Sequence, residues 1–209
     1  MVVVLAIIAI ITTIAVLGQS SFNRTLILTD TAYTVAFSVR EAQALGISSR
    51  AFSGTRNAGY GVRFANGTQT SYTLFADTSP AAPGDTGNPS VCPGHSVATG
   101  PEAKPGDCVQ GSASEIVRTY TLNKGFNIAS FCGTQSGVQR CNGYLDALSV
   151  MYLRPNTQSI IVGERSGTRI ALTDATIRLA SPDGTTQRCV YVSKAGQVSV
   201  HAQGESECP

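Results

Sequence analysis

Residues 1–17 form an apolar run in which Thr12 and Thr13 are the only polar residues. The run contains neither Gly nor Pro, so it predicts an uninterrupted helix. At 1.5 Å per residue this helix spans about 26 Å, slightly less than the roughly 30 Å hydrocarbon core of a bilayer. We therefore predict a transmembrane or filament-core helix segment over 1–18. A cleaved secretory signal is the alternative, since Val16 and Gly18 are small enough for its cleavage site, although a basic segment does not precede the run.

The following segment, 19–46, carries two apolar stripes when it is projected as a helix at 100° per residue. We predict that one stripe packs on a sheet of the same chain, and it consists of Phe22, Leu26, Tyr33 and Phe37. The other would contact a neighbouring subunit, because a helix that covers one core needs only one stripe; it consists of Leu28, Ala32, Val35, Val39 and Ala42. The alternative is that this second stripe is the small-residue part of one wide buried face. Gly46 suits the C-terminal cap of this amphipathic continuation.

The rest of the chain shows the alternation of β-strands. Tyr60, Val62 and Phe64 alternate before the turn residues Asn66 and Gly67, which predicts a hairpin. Further strands are predicted over 116–122, 126–132, 147–153, 159–162, 168–172, 175–180, 188–193 and 197–201. One N-terminal helix followed only by strands predicts an α+β fold, with the helix packed on an antiparallel sheet. Residues 47–209 would form this β-rich globular head.

The alternation stops between residues 77 and 114, where Pro and Gly are frequent. Most of the nine prolines of the chain lie there, namely Pro80, Pro83, Pro89, Pro93, Pro101 and Pro105. This composition rules out a long strand or helix. We predict a surface loop over 78–114 that is either a disordered insertion or a partner-binding segment.

The six cysteines predict disulfides. An even count after an exporting helix favours an oxidising compartment. Their order suggests that neighbours pair, which is one of fifteen connectivities: Cys92 with Cys108, Cys132 with Cys141, and Cys189 with Cys208. The alternative for the first pair is a zinc site that includes His95, but a structural site needs four ligands and the chain contains no C-x-x-C pair.

Charge and motifs exclude several classes of function. The formal net charge is +2 and the basic residues are not clustered, which disfavours a nucleic-acid partner. Only 13% of the residues are charged, against roughly 25% in an ordinary soluble domain. The sequence contains no P-loop, G-x-S-x-G or G-x-G-x-x-G motif, and His95 and His201 lie outside any H-E-x-x-H pattern. We predict no catalytic residue, cofactor or metal ligand, and therefore no enzyme.

Three segments resemble a known family. They are the run VVVLAIIAIITTIAVL with the following helix that ends in REAQALGISSR, the hairpin over 59–77, and the closing segment TIRLASPDGTTQRCVYVSKAGQVSV. The first resembles the N-terminal helix of type IV pilins and type II secretion pseudopilins. The other two are similar to H-type minor pseudopilins, and the Cys189–Cys208 pair also resembles the C-terminal disulfide loop of many pilins.

The resemblance implies a type IV pilin-like fold and a structural role as a minor pilin or pseudopilin. The subunit would be stored in the inner membrane as a single-pass protein with an extracytoplasmic head, and then assembled into a periplasmic or extracellular filament. Its partners would be other pilin or pseudopilin subunits, the inner-membrane assembly platform, and membrane lipid before assembly. The membrane and assembly residues would be Val2, Val3, Val4, Leu5, Ile7, Ile8, Ile10, Ile11, Ile14, Val16 and Leu17. The alternative function is a membrane-anchored or secreted extracytoplasmic β-domain that binds a partner without polymerising.

The resemblance is incomplete at its start. Family members carry a basic leader, a glycine at the cleavage point, an N-methylated aromatic residue and a glutamate ahead of the VV-rich run. Here Met1 stands directly before that run. We expect a start site called too late or a truncated sequence, and processing and methylation carry over only in that case.

Overall fold

A computed structural model describes residues 2–48, 50–54, 58–78, 108–123, 125–155, 157–206 and 208, and for 14–21 it describes the backbone alone. The chain begins with helix α1 (Val2–Ile47), and a short 3₁₀ helix (Ala113–Glu115) precedes the third strand. The strands are β1 (Gly59–Ala65), β2 (Ser71–Asp77), β3 (Ile116–Thr121), β4 (Asn127–Gln135), β5 (Val138–Cys141), β6 (Ala147–Tyr152), β7 (Ser159–Arg165), β8 (Thr168–Leu172), β9 (Asp174–Ala180), β10 (Gln187–Ser193) and β11 (Val198–Ala202).

The strands form two antiparallel sheets. One has the order β3-β2-β1-β6-β7-β8 and the other the order β11-β10-β9-β4-β5. The predicted fold class, a type IV pilin-like α+β fold with one helix on one antiparallel sheet, is therefore wrong: the described chain is mostly antiparallel β-structure, with eleven strands in two sheets. Twisted open sheets rarely exceed about ten strands without splitting or curling, which accounts for the second sheet.

The local strand predictions agree with the structure more closely. The hairpin of β1 and β2 is confirmed, with Gly67 in the left-handed region at φ +82°. Strand β5 was not predicted, because its sequence VQRC is short and shows no apolar alternation. It pairs with β4 in a register that places Cys141 opposite Cys132.

Helix α1 lies across both sheets and contacts β1 and β6 of one and β9, β10 and β11 of the other. The stripe that faces these strands is completely buried, at 0% exposure, and consists of Leu28, Ala32, Val35, Val39 and Ala42. The predicted packing stripe is 51–67% exposed and consists of Phe22, Leu26, Tyr33 and Phe37. The burial of the two stripes is therefore the reverse of what was predicted, and both predictions are wrong.

Close approach of the helix to the sheets explains this reversal. Small and β-branched side chains let the helix backbone lie near the strands, whereas a row of aromatic rings would hold it away. Gly46 shows how close the approach is, because a Cβ there would overlap the backbone of Tyr152 on β6. Gly46 lies inside α1, which ends at Ile47, so its predicted role as the C-terminal cap is wrong.

The principal core lies between α1 and the two sheets. A smaller core consists of Phe75, Cys108, Val109, Met151 and Val162. Phe75, Met151 and Val162 come from three adjacent strands, β2, β6 and β7, while Cys108 and Val109 precede β3. Cys108 and Val109 therefore pack on the six-stranded sheet.

The expected single-pass inner-membrane location is not supported. Among the described residues, no helix is long and apolar enough to cross a membrane.

Two predicted disulfides are confirmed. Cys132 bonds Cys141 across the β4–β5 pair, and Cys189 bonds Cys208, which ties the C-terminal turn to β10. Cys108 is also disulfide-bonded, while its predicted partner Cys92 lies outside the described residues. A disulfide sulfur is not a thiolate ligand, so the zinc alternative loses Cys108; His95 also lies outside the described residues.

Two buried carboxylates hold the described ends of the predicted 78–114 loop, of which 79–107 lie outside the described residues. Asp77 accepts a hydrogen bond from the backbone N–H of Cys108 at 2.8 Å. Glu115, at 0% exposure, accepts bonds from the N–H groups of Thr78 at 3.0 Å, Gly111 at 2.6 Å and Ser112 at 3.2 Å. The two ends of the segment are thereby fixed to one sheet.

Candidate assembly surface on the N-terminal helix

Helix α1 exposes apolar side chains in two regions. The first, here called the arm, is residues 2–13, and all of these side chains are exposed. It contains the predicted assembly residues Val2, Val3, Val4, Leu5, Ile7, Ile8, Ile10 and Ile11. The predicted assembly residues Ile14, Val16 and Leu17 lie on the helix, but their side chains are outside the described ones.

The second region, here called the outer stripe, consists of Phe22, Leu26, Tyr33 and Phe37. The spacings of four, seven and four residues place these side chains on one side of the helix. Isolated exposed apolar residues are ordinary in proteins, but a row of large ones indicates a contact surface. Polar side chains, among them Asn23, Asp30 and Thr34, lie beside the row and are exposed.

The outer stripe borders a cavity of about 230 Å³ between α1 and the edge strand β11. Its lining residues are Tyr33, Ala36, Phe37, Arg40, Val198, Ser199 and Val200. The guanidinium of Arg40 crosses from the helix to the strand and donates to the carbonyl oxygen of Val198 at 3.2 Å. The stripe is thus continuous with a concave, mainly apolar surface.

Polar contacts on the flanks of α1 fix its rotation about its own axis. On one flank, Ser38 hydrogen-bonds the hydroxyl of Tyr72 at 2.8 Å, and Glu41 accepts a hydrogen bond from the hydroxyl of Tyr120. Burial is the largest effect on Tyr72 and raises its pKa to about 12, so this hydroxyl stays protonated at neutral pH. Together with the packing of the buried stripe, these bonds hold the helix in one rotation about its axis.

An ion pair holds the helix near the arm. Arg24 on α1 contacts Asp183, in the turn between β9 and β10, at 2.7 Å. The pKa of the Asp183 carboxyl lies below its ordinary value, first because the hydroxyl of Ser181 donates to it, then because of Thr185, with a smaller contribution from Arg24. Since Arg24 and Asp183 are both well exposed, this pair orients the helix more than it stabilises it.

No pattern in the sequence indicated the cavity. Ala36 and Arg40 are on α1, and the residues that face them are on β11, more than 150 positions later in the chain. Their proximity follows from the placement of β11 at the sheet edge beneath the helix, which local periodicity does not encode. The helical repeat in the sequence indicated the outer stripe. The stripe was predicted to pack on a sheet of the same chain, but its side chains are exposed.

Comparison of the chain with family models, with curated proteins and with solved structures gives no match. The similarity to pilins and pseudopilins therefore stays a prediction drawn from the residues themselves.

Proposed function

We propose that the chain is a structural filament subunit of minor pilin or pseudopilin type, which assembles with other subunits through α1. The observation that carries this proposal is the outer stripe. The Leu28–Ala42 stripe already forms the buried contact between α1 and the strands of the head. The side chains of the outer stripe are nevertheless more than half exposed, namely Phe22, Leu26, Tyr33 and Phe37. The residues over 2–46 that resemble the pilin helix are the same residues that present these surfaces.

The partner that fits these surfaces is an apolar helix of a neighbouring subunit, and a second copy of this chain supplies one. The arm is exposed on all sides, and the outer stripe with its cavity offers an apolar face of different shape. Contact between two unlike surfaces on successive copies is heterologous, and such contacts produce open helical assemblies when the rotation does not close a ring.

The energetics require both surfaces. Complete burial of one large apolar side chain contributes about 1.5–3 kcal/mol, and the residues of the outer stripe are already partly covered. Association itself costs roughly 4–15 kcal/mol, so the outer stripe alone would scarcely offset that cost. The arm adds eight exposed Val, Leu and Ile residues and contains no charge, which makes tight association feasible.

The test introduces charge into the outer stripe without disturbing the head. In the double variant Phe22→Asp/Phe37→Asp, two carboxylates replace exposed rings. We expect loss of self-association in sedimentation velocity over a concentration series, with an unchanged urea midpoint, because neither ring belongs to the core. The desolvation of two carboxylates against an apolar helix would cost several kcal/mol, which corresponds to at least a hundredfold weaker association.

The matched control is Asn23→Asp/Thr34→Asp, which adds the same charge at nearby exposed positions off the stripe. It should associate as the wild-type chain does. Equal association of both double variants would overturn the proposal, and so would a wild-type chain that stays monomeric at every concentration. Either of these results would favour a β-domain that binds its partner without polymerising.

A further inference from the structure

Two Asn-Gly pairs that are distant in the chain contact each other in the structure. Asn66-Gly67 lies in the turn between β1 and β2, and Asn142-Gly143 lies in the turn between β5 and β6. Nδ2 of Asn66 donates to the backbone oxygen of Asn142 at 3.0 Å. In an Asn-Gly pair the backbone nitrogen of the glycine reaches the asparagine amide most easily, because glycine has no Cβ to obstruct the approach. The two pairs offer the same chemistry in different surroundings.

The side chain of Asn66 is held away from this reaction. Its amide nitrogen donates twice, to the oxygen of Asn142 and, at 2.8 Å, to the oxygen of Leu145. Its backbone N–H also donates to the oxygen of Asp146 at 2.8 Å. Rotation of the amide toward Gly67 would break both side-chain bonds, which opposes the reaction at this pair.

Asn142 is not held in this way. Its side chain is partly exposed, and among the described residues neither this side chain nor the N–H of Gly143 makes a hydrogen bond. The flanking residues fix the turn instead, because the N–H groups of Tyr144 and Leu145 both donate to the oxygen of Cys141 at 2.7 Å. A Cβ on Gly143 would meet no atom within 4 Å, so the space around this residue is open. The amide of Asn142 therefore rotates toward Gly143 without losing a hydrogen bond.

Positive charge lies beside the same turn. The guanidinium of Arg140 is 4.4 Å from the ring centre of Tyr144, and that of Arg165 is 3.9 Å from the same centre. Neither arginine makes an ion pair with a described residue, and the carboxylate of Asp146 accepts from the N–H of Ser166. Two cations held on one ring repel each other, so negative charge that develops in this turn is favoured.

We propose that Asn142 is a site of intramolecular modification, at which the folded chain converts a side-chain amide into a carboxylate. The nitrogen of Gly143 attacks Cγ of Asn142, and a new N–C bond forms. The proton of the Gly143 N–H passes through water to the leaving amide, which departs as ammonia. Water then opens the cyclic imide: cleavage of the new bond gives aspartate, and cleavage of the original peptide bond gives isoaspartate. The turn lies outside α1, so this modification is independent of the proposed filament role.

The product suits its surroundings at Asn142 and not at Asn66. A carboxylate in the turn between β5 and β6 lies near Arg140 and Arg165, and it lowers the formal net charge of +2 by one. A carboxylate at Asn66 would instead face two carbonyl oxygens. Because the conversion is spontaneous and one-way, the modified fraction increases with the age of the chain.

The test keeps the full chain folded in mildly alkaline buffer, where the nitrogen of Gly143 loses its proton more readily. Peptide mass spectrometry over time measures the conversion of amide to acid at each pair. We expect Asn142 to convert, with both aspartate and isoaspartate formed. Asn66 should convert at least about tenfold more slowly, because two hydrogen bonds must break first. In urea, where the bonds of Asn66 are lost, the two rates should agree.

Gly143→Ala tests the attacking nitrogen. The added Cβ meets open space and the φ of Gly143 is not positive, so the urea midpoint should not change. The methyl group stands beside the attacking nitrogen, so the conversion of Asn142 should slow by at least about tenfold. The proposal is overturned if Asn142 keeps its amide in the folded chain, if Asn66 converts equally fast there, or if Gly143→Ala converts as the wild-type chain does. A difference between the two pairs that persisted in urea would also overturn it, since the fold would not be its cause.

Aspartate substitutions compare the two product charges. Asn66→Asp should lower the urea midpoint, because its carboxylate would face the oxygens of Asn142 and Leu145. Asn142→Asp should leave the midpoint unchanged or raise it, because Arg140 and Arg165 lie beside the turn. Equal losses for the two variants would contradict the proposed role of the guanidiniums.

Discussion

Val35→Asp is expected to lower the free energy of unfolding by at least about 3 kcal/mol, and in a chain of ordinary stability this leaves much of the protein unfolded. Val35 is at 0% exposure, between α1 and the strands beneath it. Its neighbours on the same stripe, Leu28, Ala32, Val39 and Ala42, are apolar and equally buried. A carboxylate at this position would therefore lose its water without gaining a partner, and a buried unpaired charge is among the most costly substitutions.

Urea unfolding followed by circular dichroism measures this effect, and Thr34→Asp is the matched control. Thr34 is the preceding residue on the same helix and is exposed. Its substitution should change the free energy of unfolding by less than about 0.5 kcal/mol. Equal urea midpoints for the two variants would show that the Leu28–Ala42 stripe does not form the interface with the sheets.

Glu115→Gln is expected to destabilise the chain by about 3 kcal/mol. The carboxylate of Glu115 is completely buried and accepts from the N–H groups of Thr78, Gly111 and Ser112. Bonds to a charged acceptor are stronger than neutral ones, and a glutamine must turn its NH₂ group toward at least one of these donors. The variant would weaken the attachment of Thr78, Gly111 and Ser112, while the bond from the Cys108 N–H to Asp77 remains.

Glu41→Gln is the comparison for this prediction. Glu41 accepts from the hydroxyl of Tyr120 and its side chain is 38% exposed, so an amide oxygen can replace the carboxylate. We expect a loss below about 1 kcal/mol in urea unfolding. If Glu115→Gln unfolded at the same urea concentration as Glu41→Gln, the three buried bonds would not hold this segment.

The helix shows where sequence reasoning succeeds and where it stops. A 3.6-residue repeat identified both stripes of 19–46, because helical geometry alone sets the angle of each side chain. The repeat does not say which stripe faces the head. That depends on how close the strands lie. The clash that any Cβ on Gly46 would make with Tyr152 shows a close approach at that position, and the stripe that faces the strands consists of Ala and Val with one Leu.

In the sheets too, contacts between residues close in the chain could be predicted, and pairings between distant strands could not. The β1–β2 hairpin and the Cys132–Cys141 and Cys189–Cys208 bridges were predictable because each joins residues close in the chain. The division into two sheets was not, since β1 pairs with the distant β6 and β4 with the distant β9. The hydrogen bonds that join Ser199 to His201 and His201 to Glu205 were also missed, although the three residues are close in the chain.

Hydroxyl-radical footprinting of α1 tests the central claim most directly, namely that the chain assembles through the outer stripe. In dilute monomer, Phe22, Leu26, Tyr33 and Phe37 should be oxidised readily, while Leu28 and Val35 are protected by the head. At concentrations where the chain associates, protection should extend to the outer stripe, the arm and the β11 residues that line the cavity, with oxidation of the other sheet edges unchanged. The account would be contradicted if the outer stripe stayed reactive in the associated state and new protection appeared on the β-sheets instead.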